Sequence, residues 1–273
     1  NQYPNNIVYR FWISNQDNDY NERLQYNNFM LDFSKKLFDN LKPHTEEEII
    51  NKVKDLEKTV IIDGLDHVEN YNSKFNGRVT LDFALSHSLN IPAVKILNQL
   101  GVPTVTQALI KSGFNSIEES KSKLGLSLAL GGCGVRLCEL SNLYATFANN
   151  GVYQKLKYVE DDTLNTDTLR LMSSGAAYMT TEILSKITRP DLPDNYANIL
   201  RIPHIAWKTG TSYGRRDAWS IGYNKRFTVG VWLGNYNGNG VAELSGASVA
   251  TPLLFDIFNA IDYDNDSTWF SPP

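Results

Sequence analysis

The stretch IAWKTGTSYGRRDAWSIGYNKRFTVGVWLGN, residues 205–235, decides how the chain is read. Apolar and β-branched residues alternate with small or polar ones, and this pattern predicts strands over 204–209, 217–223 and 227–234. Asn224-Lys225 between the last two predicts a tight hairpin, although the strong Asn-Gly signal is absent. The first strand breaks the pattern. It runs out in Lys208-Thr209-Gly210-Thr211-Ser212, a cluster poor at building core and rich in hydrogen-bond donors. Such a strand end suits the capture of an extended peptide. A residue without a side chain lets another backbone come close, the lysine carries positive charge, and hydroxyls and free edge N–H groups bind carbonyls and carboxylates. An ordinary exposed edge with a lysine for solubility fits the same tetrapeptide.

Working outward, helical periodicity predicts helices over 81–88, 90–100, 103–111, 137–149, 174–188 and 251–261. Asn90 is placed to cap the second, with Pro92 in its first turn and Gly101 at its end, and Asn150-Gly151 closes the fourth. Helices, then an antiparallel meander, then a last helix predict a mixed α+β fold: an antiparallel sheet packed with helices.

The N-terminal part differs in texture. Residues 1–28 are polar, aromatic and rich in Asn, and 29–58 carry two helical patterns separated by Pro43. Phe33, Leu37 and Leu41 mark the first, and Ile49, Ile50, Val53 and Leu56 the second, with Thr45 and Glu48 in capping-box spacing. We therefore expect residues 1–59 to be an extra, helical segment and 60–273 to be the main domain.

At 273 residues and 42% hydrophobic, the chain is long enough for a sizeable core. With 26 basic and 30 acidic residues and no basic run, nucleic-acid binding is not indicated. The two cysteines, Cys133 and Cys138, are too few for a disulfide framework and lack zinc-ligand spacing, as do His67, His87 and His204. No metal or cofactor is expected. There is no membrane-spanning apolar run and no signal-peptide pattern, so any anchor is expected outside this sequence.

The second polar cluster is Ser88-Leu89-Asn90. Alone it is weak, because both Ser and Asn are common caps. Followed by helices and then Lys-Thr-Gly on a strand, it has the order found in enzymes that acylate a serine. On the phrases ALSHSLNIPAVKILNQLG, LSLALGGCGVRLCELSNLYATFANNG, LMSSGAAYM and AWKTGTSYGRRDAWSIGYNKRFTVGVWLGN, the chain resembles the transpeptidase domain of penicillin-binding proteins, most of all the bifunctional 1C type. The resemblance runs over about residues 60–260. It implies the serine transpeptidase/β-lactamase-like fold and a D,D-transpeptidase that crosslinks peptidoglycan at the outer face of the bacterial cytoplasmic membrane. The implied partners are D-Ala-D-Ala stem peptides and the β-lactams that acylate such enzymes. Carried over residue by residue, Ser88 would relay protons, Asn90 would hold the donor amide, and Lys208 would set the electrostatics. Thr209, Gly210, Thr211 and Ser212 would bind substrate, with the Thr211 N–H in the oxyanion hole.

One part of the pattern is missing. No Ser-x-x-Lys precedes Ser88, and the chain's single example, Ser120 to Lys123, sits in a charged stretch that reads as a solvated turn. Asp39-Asn40-Leu41-Lys42-Pro43 echoes the family's first motif with Asp in place of serine. Two readings stay open at this point: a transpeptidase domain, or an inactive scaffold that keeps the peptide-docking edge. Asp161 to Asn165 faintly resembles the acidic loop of β-lactamases but lacks the glutamate, and Arg215-Arg216 reads either as an anion contact or as a charged hairpin tip.

Overall fold

The computed structural model describes residues 7–15, 68–71, 74–157, 168–189, 192, 202–262 and 269–273. Its centre is a four-stranded antiparallel sheet made of β1 (Ile7–Asn15), β4 (Ala206–Thr211), β5 (Asp217–Tyr223) and β6 (Phe227–Asn235), in the order β1-β6-β5-β4. A small two-stranded sheet pairs β2 (Val152–Gln154) with β3 (Thr168–Arg170). The helices are α1 (Leu81–Ser86), α2 (Asn90–Leu100), α3 (Val102–Lys111), α4 (Asn115–Glu118), α5 (Leu137–Ala148), α6 (Ser174–Ser185) and α7 (Thr251–Asp262).

The expected strands form where the alternation placed them. β5 keeps its bounds, and β4 and β6 shift by one or two residues. Strand β1 was not anticipated. It lies in the stretch read as polar and aromatic and pairs with β6 along its whole length, Ile7 opposite Asn235 and Asn15 opposite Phe227. The helices expected over 29–58 lie outside the described residues, as do Asp39, His67 and residues 161–165.

Both faces of the sheet are covered. On one face, Trp207, Val229, Val231 and Leu233 pack with Leu254, Phe255 and Phe258 of α7; Leu254 and Phe258 are fully buried. On the other face lie α5 and α6. A Cβ at Gly230 would stand 2.1 Å from Ser141 Oγ, so the bare backbone of β6 is what lets α5 come so close. Tyr223 ends β5 on this face, fully buried, with its hydroxyl 2.8 Å from Thr181 Oγ1 on α6. Burying one large apolar side chain of this kind is worth about 1.5–3 kcal/mol.

The hairpin turn has a side-chain brace where no Asn-Gly was available. Asn224 Oδ1 accepts the N–H groups of Arg226 (2.8 Å) and Phe227 (2.9 Å). Its Nδ2 donates to Asp262 at the end of α7 (2.5 Å), and Arg226 pairs with the same carboxylate at 2.6 Å. The turn is thereby tied to the last helix, which compensates the weak local turn signal.

Candidate active site

The site is assembled from a tight helix–helix turn and a free strand edge. The turn joins α1 to α2. Thr80 caps α1 by accepting the Phe83 N–H at 3.2 Å, His87 stacks on Phe83 with ring centroids 3.8 Å apart, and Leu89 is buried beneath. Ser88 between them has φ of 54°, a left-handed conformation uncommon outside glycine. It leaves the Ser88 side chain exposed at the head of the turn.

Asn90 does not cap α2 with its side chain. Leu89 takes the N-cap position, and Asn90, inside the first turn, donates from Nδ2 to the Glu69 carbonyl at 2.8 Å. The Ile91 N–H is instead satisfied by Asn70 Oδ1 at 3.3 Å. The cap thus comes from a residue 21 positions upstream, which local spacing could not reveal.

Lys208 comes from the other side. Its Nζ donates to Ser88 Oγ across 120 residues of sequence, and also to the Thr209 carbonyl at 3.1 Å. Burial lowers its pKa from the ordinary 10.5 to about 8, because a largely desolvated ammonium is disfavoured. The pair is a hydroxyl held against an amine that is partly neutral just above physiological pH, the arrangement of a proton relay.

Strand β4 presents the edge. Among the described residues its only strand neighbour is β5. The Ser212 N–H donates to the Asp217 carbonyl at 3.0 Å, and the alternation of an antiparallel ladder then turns the N–H groups of Thr209 and Thr211 outward. Gly210 keeps this edge flat beside Lys208; a Cβ there would have Trp219 Cβ as its nearest neighbour, at 3.6 Å. The Thr211 hydroxyl accepts the Gly246 N–H at 3.0 Å, which leaves its own proton to donate. Gly246 was not anticipated. A Cβ there would meet the Gly210 carbonyl oxygen at 2.6 Å, so only glycine lets the turn before α7 close over β4. Ser212 serves the turn itself, its hydroxyl accepting the Asp217 N–H at 2.9 Å.

The structure thus brings Ser88 and Lys208 into contact, with Thr209 to Thr211 on the adjoining edge, while Asn90 opens α2 two residues beyond Ser88 with its side chain on the Glu69 carbonyl. Ser120 is elsewhere in kind: its hydroxyl donates to the Ile117 carbonyl, and Lys121 and Lys123 are exposed. Arg215 donates to the Ala242 carbonyl and braces the loop after β4. Cys133 and Cys138 are not joined in a disulfide, and among the described residues no three His, Cys, Asp or Glu side chains cluster as metal ligands. No helix among those residues is long and apolar enough to cross a membrane.

A family model for the penicillin-binding protein transpeptidase domain matches residues 46–259, and the chain belongs to this family. It is 38% identical over 192 residues to penicillin-binding protein 1C of Escherichia coli, covering 70% of this chain and 24% of that protein. It is 30% identical over 204 residues to penicillin-binding protein 1F of Bacillus subtilis, covering 69% and 28%. The chain therefore spans about a quarter of the length of these relatives. Among solved structures, PonA1 from Mycobacterium tuberculosis in complex with penicillin V shares the fold, with a TM-score of 0.68 at 17% identity over 99% of this chain and 82% of that one. The mixed fold of helices on an antiparallel sheet is that of the penicillin-binding transpeptidase domains.

Proposed function

We propose that this chain is the part of a cell-wall crosslinking enzyme that docks the D-Ala-D-Ala end of a peptidoglycan stem peptide and relays protons during acyl transfer. The observation that carries the reading is the contact between Lys208 and Ser88 beside an open strand edge. In this reading the peptide adds as a strand along β4. The outward N–H groups of Thr209 and Thr211 hold its backbone and polarise the scissile carbonyl. The terminal carboxylate meets the Thr211 hydroxyl and the Lys208 charge, and its approach raises the lysine pKa back toward the charged form. Ser88 then passes a proton between Lys208 and the amine that leaves, while Asn90 orients the donor amide. β-Lactams occupy the same edge as mimics of the peptide. The domain runs over residues 60–273 with strand β1 added to its sheet, and it works at the outer face of the cytoplasmic membrane.

The test is binding of diacetyl-lysyl-D-Ala-D-Ala to the chain and to Lys208→Ala and Thr211→Val variants, together with mass spectrometry after exposure to a fluorescent penicillin. Stereospecific binding lost in both variants is the expected result, and equal binding of the L-Ala-L-Ala peptide overturns the docking site. A covalent penicillin adduct establishes acyl transfer. Docking without an adduct favours the second reading, a peptide-binding scaffold.

A further inference from the structure

In the strand register Gly210 of β4 stands opposite Trp219 of β5, and Trp219 stands opposite Trp232 of β6. Residues two apart on a strand share a face, so both tryptophans lie on the face that carries Lys208 and Ile221. At Ile221 that face is covered by α5: Ile221 is buried, and a Cβ on its β6 partner Gly230 would meet Ser141 and Leu137. One pair along, the cover thins. Trp219 and Trp232 are half-buried, and within β5 every residue other than Asp217 and Trp219 is buried.

The two indoles are held differently. Trp232 is fixed by its Nε1, which donates to Asp217 Oδ1 at 2.9 Å. Trp219 packs beside it, ring centroids 6.3 Å apart and planes tilted by 60°, and its own N–H has no hydrogen bond among the described residues. Its pyrrole edge is turned toward Gly210. A Cβ at Gly210 would lie 3.6 Å from Trp219 Cβ and 4.0 Å from Cδ1, the ring carbon bonded to Nε1.

Both distances are ordinary van der Waals contacts, and the φ of Gly210 is not positive. Neither packing within the domain nor backbone conformation therefore demands glycine at 210. The bare residue leaves room for about a methyl group at the edge of β4, floored by a half-exposed indole. Successive side chains of an added strand point to opposite faces, so only one of two consecutive alanine methyls enters that space.

We propose that Trp219 is a specificity-determining residue of the docking edge: its indole receives one alanine methyl of the D-Ala-D-Ala end over Gly210, and its N–H donates to the same peptide. The inference rests on the docking proposed above and adds a reason for alanine over glycine at one of the two positions. Covering that methyl is worth about fourfold in affinity.

The experiment is ¹⁵N NMR titration of the full chain with diacetyl-lysyl-D-Ala-D-Ala and its two single-glycine analogues, D-Ala-Gly and Gly-D-Ala. The Trp219 indole N–H resonance, assigned by its loss in Trp219→Phe, is expected to shift saturably with the first peptide, while that of Trp232 stays in place. One glycine analogue should bind about fourfold more weakly than D-Ala-D-Ala, and Trp219→Ala should erase that difference. A purely structural role for Trp219 would leave the ratio between the peptides unchanged. An unmoved Trp219 indole while the Thr209, Gly210 and Thr211 amides shift overturns this inference and leaves the docking site standing, as does a glycine penalty that survives in Trp219→Ala. Should Trp219→Ala fail to fold, the indole resonance of the wild-type chain still decides. Absence of any response at the β4 amides overturns the docking site and this inference together.

Discussion

Strand β5 and the last four residues of β4 lie side by side in one sheet and are built on opposite terms. In β5, Ala218, Ser220, Ile221, Gly222 and Tyr223 are all buried, and helices cover both faces. In β4, Ala206 and Trp207 are buried, but Lys208, Thr209 and Gly210 are half-buried and Thr211 is exposed. The neighbouring strands share backbone geometry, so the difference lies in what each side chain is placed to do. β5 spends its side chains on packing. The end of β4 keeps a desolvated amine, a flat edge and outward N–H groups, none of which helps the fold. Sites carry such local conflicts, and the surrounding core holds them in place.

The contrast makes opposite predictions for the two strands. The largest effect is expected in β5. Ile221 is 2% exposed, and Ile221→Asp buries a carboxylate without a partner, costing more than about 4 kcal/mol. A soluble variant melting cooperatively near the wild-type temperature would break the comparison.

At Lys208 the sign reverses. The unfolded chain holds this amine near the ordinary 10.5 and the folded chain near 8, so the unfolded state binds more protons between those values. The stability associated with Lys208 is present above pH 10.5 and is lost as pH falls through about 8. Lys208→Met should therefore stabilise the protein by about 1–2 kcal/mol at pH 7, after allowance for the lost hydrogen bond to Ser88, with the gain gone at high pH. Urea denaturation at several pH values checks this. A variant that is destabilised at pH 7 would place Lys208 with the core rather than the site.

Thr211→Val leaves the Gly246 N–H without its acceptor and should cost about 1 kcal/mol, while peptide docking weakens about tenfold. The smallest effect is expected at Ser88. Glycine accommodates its φ of 54° without strain, so Ser88→Gly should gain up to about 1 kcal/mol in thermal unfolding while losing the hydroxyl of the proposed proton relay.

How far the sequence carries the structure differs in the same way between the two regions. The hairpin, the helix from Leu137 and the final helix were legible because period-2 and period-3.6 patterns are local. The order of Ser88, Asn90 and Lys208 along the chain was legible too. The contact between Ser88 and Lys208 was legible only through the family resemblance, because nothing local links residues 120 positions apart. Strand β1 escaped because IVYRFWISN, flanked by Asn-rich stretches, lacks both clean alternation and a turn signal, and its partner β6 is more than 200 residues away. Asn90 was read as a cap because its residue type favours one, whereas tertiary contact with Glu69 claimed its side chain and Asn70 took over the cap.

The central claim, that the end of β4 is a peptide-docking edge working with Ser88, is tested most directly by amide NMR of the ¹⁵N-labelled chain titrated with diacetyl-lysyl-D-Ala-D-Ala. The account predicts that the Thr209, Gly210, Thr211 and Ser88 amides shift together and saturably. The L-Ala-L-Ala peptide should leave them unmoved, and Lys208→Ala should abolish the response. Shifts confined to other surfaces, or identical with both peptides, would contradict it.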